Sequence, residues 1–403
     1  MSDPRDHHPQ TTTPWGLVIL LGSLTALGPL SIDMYLPSLP AIGVSLHAAP
    51  GQAQVTMAAF LAGMALGQFF YGPASDRLGR RMPIMVCAAI YMAASAICAS
   101  ATSIEMLIAA RFVQALGACA GGVVARAVVR DRFNHTETAR MLSLLTLVMG
   151  LAPILAPLVG GALLALGGWR INFWVQMAFG LAVGLATLFR LQESRSAETA
   201  AHARSETPII AYISLLGQGR LVGYALAGAL NGAALFTYVS ASPELLIKTY
   251  GITPQAFGWV FGVNAVGIIG GGQVNRLLLR RWTPDAVLSR ASLIGVPIAL
   301  ALTLAAFTGI GGRWSVLGLL FCLLATYGFM QGNTMAGALN VDPRRAGSTS
   351  AVMGGASFAM GALASSLTGV FHDGTPRPMA LTMLVALMGS ALALRLLAFR
   401  KRA

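Results

Sequence analysis

The chain has 403 residues, of which 56% are hydrophobic and only 10% charged. A soluble domain carries about a quarter charged residues, so a globular enzyme, free or on one anchor, is excluded in favour of a polytopic membrane protein. The net charge of +13 is spread through the segments between apolar runs, which argues for membrane topology and against a nucleic-acid partner.

The first 14 residues are polar and lack the basic start and cleavage site of a secretion signal, so the first apolar run is expected to be retained. A helix crosses the bilayer with roughly 20 apolar residues. Twelve such runs are present, at about 15–38, 52–73, 82–102, 105–127, 138–165, 168–190, 220–243, 255–279, 286–308, 313–340, 346–371 and 378–399. The predicted fold is an all-α membrane protein of twelve transmembrane helices in two pseudo-symmetric six-helix halves, 15–190 and 220–399. A cytoplasmic linker, 191–219, joins them, and residues 400–403 form a short cytoplasmic tail. Within the linker, 191–208 is polar and flexible, while 209–216 is apolar, too short to cross, and suited to the membrane surface.

With both termini in the cytoplasm, 22 of the 27 Lys and Arg residues fall on the inner side and 4 on the outer. That asymmetry is what cytoplasmic loops carry, and it predicts a cytoplasmic (inner) membrane protein whose constant partner is the lipid bilayer. Arg111 alone lies within a span. The four cysteines, Cys87, Cys98, Cys119 and Cys322, all sit in apolar runs without metal or redox spacing. They read as packing residues, with no disulfide expected.

An ionisable side chain inside the membrane is costly and marks a functional candidate. Of 14 acidic residues, Asp33 is the one well within a span, about seven residues before Pro40, or on the order of 10 Å deep. Glu244 is a weaker case near the end of span 7. Arg111 lies at a similar depth on span 4, so an Asp33–Arg111 pair is expected, either as a fixed ion pair or as a proton-exchanging carboxyl with its cationic partner. On the same span, Gln114 shares a face with Arg111, followed by the small residues Ala118, Gly121, Gly122 and Ala125, which let helices approach closely. Tyr35, Gln114, Asn231, Tyr238, Asn264, Gln331 and Asn333 are polar at apparent depth and are the candidates for a substrate cavity between the halves. Span 5 carries Gly150, Pro153, Pro157, Gly160 and Gly161 and should be kinked. No span holds paired carboxylates or a metal motif, and the histidines lie in tails, loops or at a helix end. The residues therefore point away from an enzyme and from any metal.

Between spans 2 and 3 runs Gly72-Pro-Ala-Ser-Asp76-Arg77-Leu-Gly79-Arg80-Arg81. This order resembles the signature loop of the major facilitator superfamily. A weaker echo, Gly271-x-x-x-Asn275-Arg276 with Arg280 and Arg281, sits between spans 8 and 9 and supports a duplicated chain. Arg111-Phe-Val-Gln114-Ala-Leu-Gly117 resembles the superfamily's span-4 motif, and Gly150 to Gly161 its proline–glycine motif on span 5, with Ala156 where a glycine is usual before Pro157. Three stretches, 32–40, 125–131 and 238–243, are similar to the Bcr/CflA multidrug efflux subfamily.

The resemblance implies alternating access and export of small, mostly apolar drugs or toxic compounds in exchange for protons. It implies no cofactor, the proton gradient supplying the energy, and a monomer. Asp33 would bind the proton with Arg111 as partner. Gly72, Asp76, Arg77, Gly79, Arg80 and Arg81 would latch the cytoplasmic side together with Arg130 and Asp131. The alternative is a proton-coupled permease or exporter for a metabolite such as an amino acid.

Overall fold

A computed structural model describes residues 15–196 and 208–399. The two tails, and residues 197–207 of the linker expected to be polar and flexible, lie outside the described residues. Among the described residues, twelve helices are long and apolar enough to cross a membrane: Trp15–Ser45, Gln52–Leu78, Arg81–Ala99, Ile104–Arg132, Thr136–Gly167, Arg170–Arg190, Gly219–Thr249, Pro254–Leu278, Pro284–Thr308, Gly312–Val341, Pro343–Val370 and Arg377–Ala398. They are numbered spans 1 to 12. A short linker helix, Pro208–Leu216, precedes span 7. No strand occurs among the described residues.

Local chemistry sets many of the ends. Ser103 caps span 4 by accepting from the Met106 N–H at 3.2 Å. Asn134 and Glu137 form a reciprocal capping box at the start of span 5, satisfying two otherwise orphaned backbone donors. Thr253-Pro254 and Thr283-Pro284 start spans 8 and 9 with a threonine cap and a proline whose missing N–H costs nothing there.

Four spans differ from expectation: spans 2 and 4 run on to Leu78 and Arg132, so that Gly72–Leu78 of the signature stretch is helical, and spans 1 and 7 break on the way. Span 1 does not end near Pro40. Its first helix stops at Asp33, a 3-10 turn covers Leu36–Ser38, and a second helix runs from Leu39 to Ser45. Pro37 and Pro40 withhold the N–H groups that would carry one helix through, yet each occupies an early helical position in the segment it opens, so the chain breaks and restarts. Span 7 likewise continues past Pro243 through a π-helical turn, Glu244–Thr249. Glu244 is consequently buried within the helix rather than at its end.

Each half is a six-helix bundle. Spans 2 and 4 pack closely in the first, spans 8 and 10 in the second, and the halves meet along spans 2 with 11 and 5 with 8. One end of both seams is tight. A side-chain carbon on Gly51 would strike the Gly369 carbonyl, and one on Gly161 would lie 2.7 Å from the Pro254 carbonyl oxygen. Toward the other end the spans 2–11 seam persists to Phe69 against Gly355. Gly72 and Gly347, which the antiparallel register sets opposite each other, meet nothing within 4 Å. Cys87, Cys98 and Cys119 are buried packing residues, and Cys322 is exposed.

Candidate functional site

The break in span 1 lies where the halves converge. It packs against span 5 from its own half and spans 7 and 8 from the other. Gly160 makes that possible: a β-carbon there would overlap the Met34 carbonyl, next to Asp33. Span 5 meets span 8 through Gly258, where an added carbon would come within 2.8 Å of Leu158. The proline–glycine stretch thus forms the floor against which the break rests. Gly150 has ordinary spacing from Ile269, at 3.8 Å.

Asp33 is 5% exposed. Among the described residues its carboxyl has no ion pair and no hydrogen bond, and Arg111 does not reach it. The Tyr238 phenol lies in its electrostatic field, accepts from Asn264 Nδ2 at 2.7 Å and stacks on Phe261, with ring centroids 5.4 Å apart. Phe257 extends the stack at 5.6 Å. The break that carries this carboxyl thus packs on the two spans of the second half, 7 and 8, that hold the Tyr238, Asn264 and Phe261 cluster.

Arg111 belongs to a separate polar core inside the first half. Its guanidinium donates to Gln114 Oε1 at 2.6 Å and to the Ser31 carbonyl at 2.9 Å. The Tyr35 and Phe60 rings flank it at 4.1 and 4.2 Å, a desolvated cation–π arrangement. Gln114 Nε2 donates to Ser95 Oγ and Gln176 Oε1, both at 2.8 Å. Ser31 Oγ and the Tyr91 hydroxyl share a bond of 2.7 Å. Arg111 Nε and Gln176 Nε2 are buried without a hydrogen-bond partner. The cation is thus held by carbonyls and rings, and it grips span 1 two residues before Asp33.

Of the seven cavity candidates, Tyr238 and Asn264 come together in a hydrogen bond between spans 7 and 8. Tyr35 and Gln114 face Arg111 within the first half, and the Tyr35 hydroxyl pairs with Thr56 at 3.3 Å. Asn231 is buried with Nδ2 unpartnered. Asn333 donates to Asn275 at 2.8 Å, tying span 10 to the echo sequence on span 8. Gln331 is exposed.

The signature loop forms a charged cluster. Buried Arg80 pairs with Asp76 at 2.5 Å and with Asp131 at 2.7 Å. Burial opposes its charge, but the two carboxylates outweigh burial and hold it firmly protonated. Arg130 is exposed and outside this cluster. Arg77 offers its backbone carbonyl to Arg195 at 2.5 Å.

The linker completes the cluster in a way the sequence did not announce. Glu193 accepts from the backbone N–H groups of Arg80, Arg81, Ser194 and Arg195. Burial alone would raise its carboxyl, but these four donors prevail and hold it below the usual glutamate range. Gly79, at φ 96°, leaves the space that Glu193 fills. Gln176, Ser95 and Tyr91 were also missed. Buried polar residues on helices of one bundle were their available signal.

The arrangement defines a two-half helical transporter with its polar groups at and behind the seam between halves. The chain matches the Major Facilitator Superfamily profile over residues 21–366, and it belongs to that family. It is 36% identical over 392 residues to the uncharacterized MFS-type transporter YdgK of Bacillus subtilis, covering 95% of this chain and 96% of that one. It is 31% identical over 377 residues to a bicyclomycin resistance protein homolog of Haemophilus influenzae, covering 93% and 94%. It is also 31% identical over 333 residues to the multidrug resistance protein MdtL of Klebsiella pneumoniae, covering 82% and 83%.

Among solved structures, a bacterial homologue of the lysosomal transporter Spinster in an inward-facing, unoccupied conformation superposes with a TM-score of 0.75 at 17% identity, covering 96% and 98%. A D-xylose–proton symporter superposes at 0.74 and 12% identity, covering 94% and 97%. These share the fold. The chain is a multi-pass membrane transporter and not an enzyme.

Proposed function

We propose that this transporter exports small, mostly apolar drugs or toxic compounds across the cytoplasmic membrane in exchange for protons, by alternating access. The observation that carries the reading is Asp33. It is an unpaired, buried carboxyl at a helix break between the halves. A change in its protonation changes the local charge by a full unit with no countercharge to absorb it, and a buried, unpaired charge is costly. Drug and proton therefore compete for one state of the cavity. Tyr238, Phe257 and Phe261 are buried in this structure, and in this reading they give an apolar compound ring surfaces with a polar edge once the seam between the halves opens. The names of the relatives from Haemophilus and Klebsiella support a drug as the cargo.

Both termini lie in the cytoplasm in this reading. The tight end of the seams is then the outer one, and Asp76, Arg80 and Asp131 brace the cytoplasmic end. The proton gradient drives the cycle without a cofactor. Each chain holds both halves, so a monomer suffices.

The test is drug accumulation in energised cells. Wild type lowers accumulation and collapse of the proton gradient removes the effect. Asp33→Asn, inserted at equal level, fails to lower it. Gradient-dependent export by Asp33→Asn at the wild-type rate overturns the role of Asp33. Failure of wild type to export any drug, with uptake or release of amino acids instead, turns the reading to a metabolite permease.

A further inference from the structure

The two halves repeat one turn but treat its arginines differently. In the first half, Arg80 is saturated by Asp76 and Asp131, and Arg81 donates to the Leu188 carbonyl at 2.5 Å. In the second half the corresponding turn lies between Leu278, the end of span 8, and Pro284, the start of span 9. There Asn275 stands in place of the aspartate and is occupied by Asn333. Asp285, an acid of the same hairpin, accepts from the Tyr224 hydroxyl at 2.7 Å and from Arg220 at 3.4 Å. Arg276, Arg280, Arg281 and Arg290 are all exposed, and among the described residues none has a carboxylate partner.

Their depth matters. Residues 279–283 lie between the end of span 8 and the start of span 9, and if those spans cross the hydrocarbon core the turn falls at the depth of the lipid headgroups. Arg290 is six residues into span 9, about 9 Å further along the helix. It is exposed there and stacks on Trp282 at 4.1 Å, with one further bond to the Ala286 carbonyl of its own helix at 3.2 Å. A lipid-facing arginine at such a position reaches back to the interface, where a tryptophan is at home. The anion available at that depth is a lipid phosphate.

We propose that the span 8–span 9 hairpin is a binding site for an anionic phospholipid headgroup. Arg280 and Arg281 approach the headgroup from the turn. Arg290, held by Trp282, approaches from the side of the hydrocarbon. Basic pockets between membrane helices take such headgroups. The asymmetry between the halves gives the reason the site exists on one side of the repeat: in the first half Arg80 is taken up by Asp76 and Asp131 and Arg81 by the Leu188 carbonyl, and the second-half turn leaves Arg280 and Arg281 for the membrane. Neither proton coupling nor drug export is needed for this binding.

The experiment places the full chain in phosphatidylcholine bilayers containing a small fraction of brominated phosphatidylglycerol or brominated phosphatidylcholine. Quenching at Trp282 is read as the difference between wild type and Trp282→Phe. The expected result is half-maximal quenching at a lower fraction of phosphatidylglycerol than of phosphatidylcholine. The preference falls roughly fivefold per arginine removed in Arg280→Gln and Arg281→Gln, and it survives in the corresponding lysine variants. Equal quenching by the two lipids overturns the proposal. So does an equal fall in Arg344→Gln, which would reduce the effect to the bulk field of the basic face. Displacement by millimolar inorganic phosphate would assign a soluble anion and also overturn it.

Discussion

Arg111 shows what one side chain can fix. It is fully buried, and among the described residues no carboxylate pairs with it. Its grip is the planar fork that reaches Gln114 and the Ser31 carbonyl together while its faces lie against Tyr35 and Phe60. An ammonium cannot reproduce that fork and stack. Arg111→Lys should destabilise the first half by about 1–3 kcal/mol, the cost of leaving buried hydrogen-bonding groups unsatisfied. A lower melting temperature in detergent checks this, and an unchanged one contradicts it. Asp33 was legible in the sequence because an acid in an apolar run stands out. Its relation to Arg111 was not. Similar depth on two spans of one half does not say which faces meet, and the guanidinium turned to a backbone carbonyl of span 1 instead. Tyr35 and Gln114 followed Arg111 into the first half for the same reason.

At the scale of elements, the linker and the signature loop act as one unit. Glu193 is held by four backbone N–H groups, and its carboxyl titrates below the usual range. The ionised carboxylate therefore favours the clasped form. That contribution is fully present above the ordinary glutamate value near 4.5 and is lost as the pH falls through the lower folded value. Protection of the amides at residues 191–196, measured against their intrinsic exchange rates, should fall below that point, and Glu193→Gln should show the lower protection already at pH 7. Indifference of the exchange to both changes would contradict the clasp. A glutamate at the start of a polar linker is unremarkable in sequence, and its partners are main-chain donors that no residue pattern displays.

Span 5 gives the second prediction at this scale. Gly160→Val places atoms on the Met34 carbonyl, so it should push span 5 from the break in span 1 and abolish transport while insertion persists. Wild-type transport by the inserted variant would contradict it. The proline–glycine pattern announced this helix clearly. The break in span 1 was hidden, because Pro37 and Pro40 read as an ending when they also open the next helical segments.

For the whole molecule, twelve spans and two halves were legible, since hydrophobic runs, arginine-rich turns and Thr-Pro caps mark the boundaries, but spans 1, 2, 4 and 7 run on past the ends their apolar runs suggest, to Ser45, Leu78, Arg132 and Thr249. How the halves meet was not legible, because close approach is set by glycines facing backbone. Gly258 is one, with the Leu158 backbone nitrogen 2.8 Å from where its β-carbon would lie, and one turn further along the span 5–span 8 seam a β-carbon on Gly262 lies 3.6 Å from Ile154 Cγ2. Cysteines in place of Ile154 and Gly262 come within reach of a disulfide. Ile154→Cys with Gly262→Cys should cross-link on oxidation, stop transport, and regain it on reduction. Transport undiminished in the cross-linked protein would mean that this seam need not move.

The exchange of drug for proton at Asp33 is tested most directly in inverted membrane vesicles with an acidic interior and a pH-sensitive dye. Adding a transported drug to wild-type vesicles should release protons from the interior. Asp33→Asn, present at the same level, should give no release. Drug-driven release of equal size from Asp33→Asn vesicles would contradict the account.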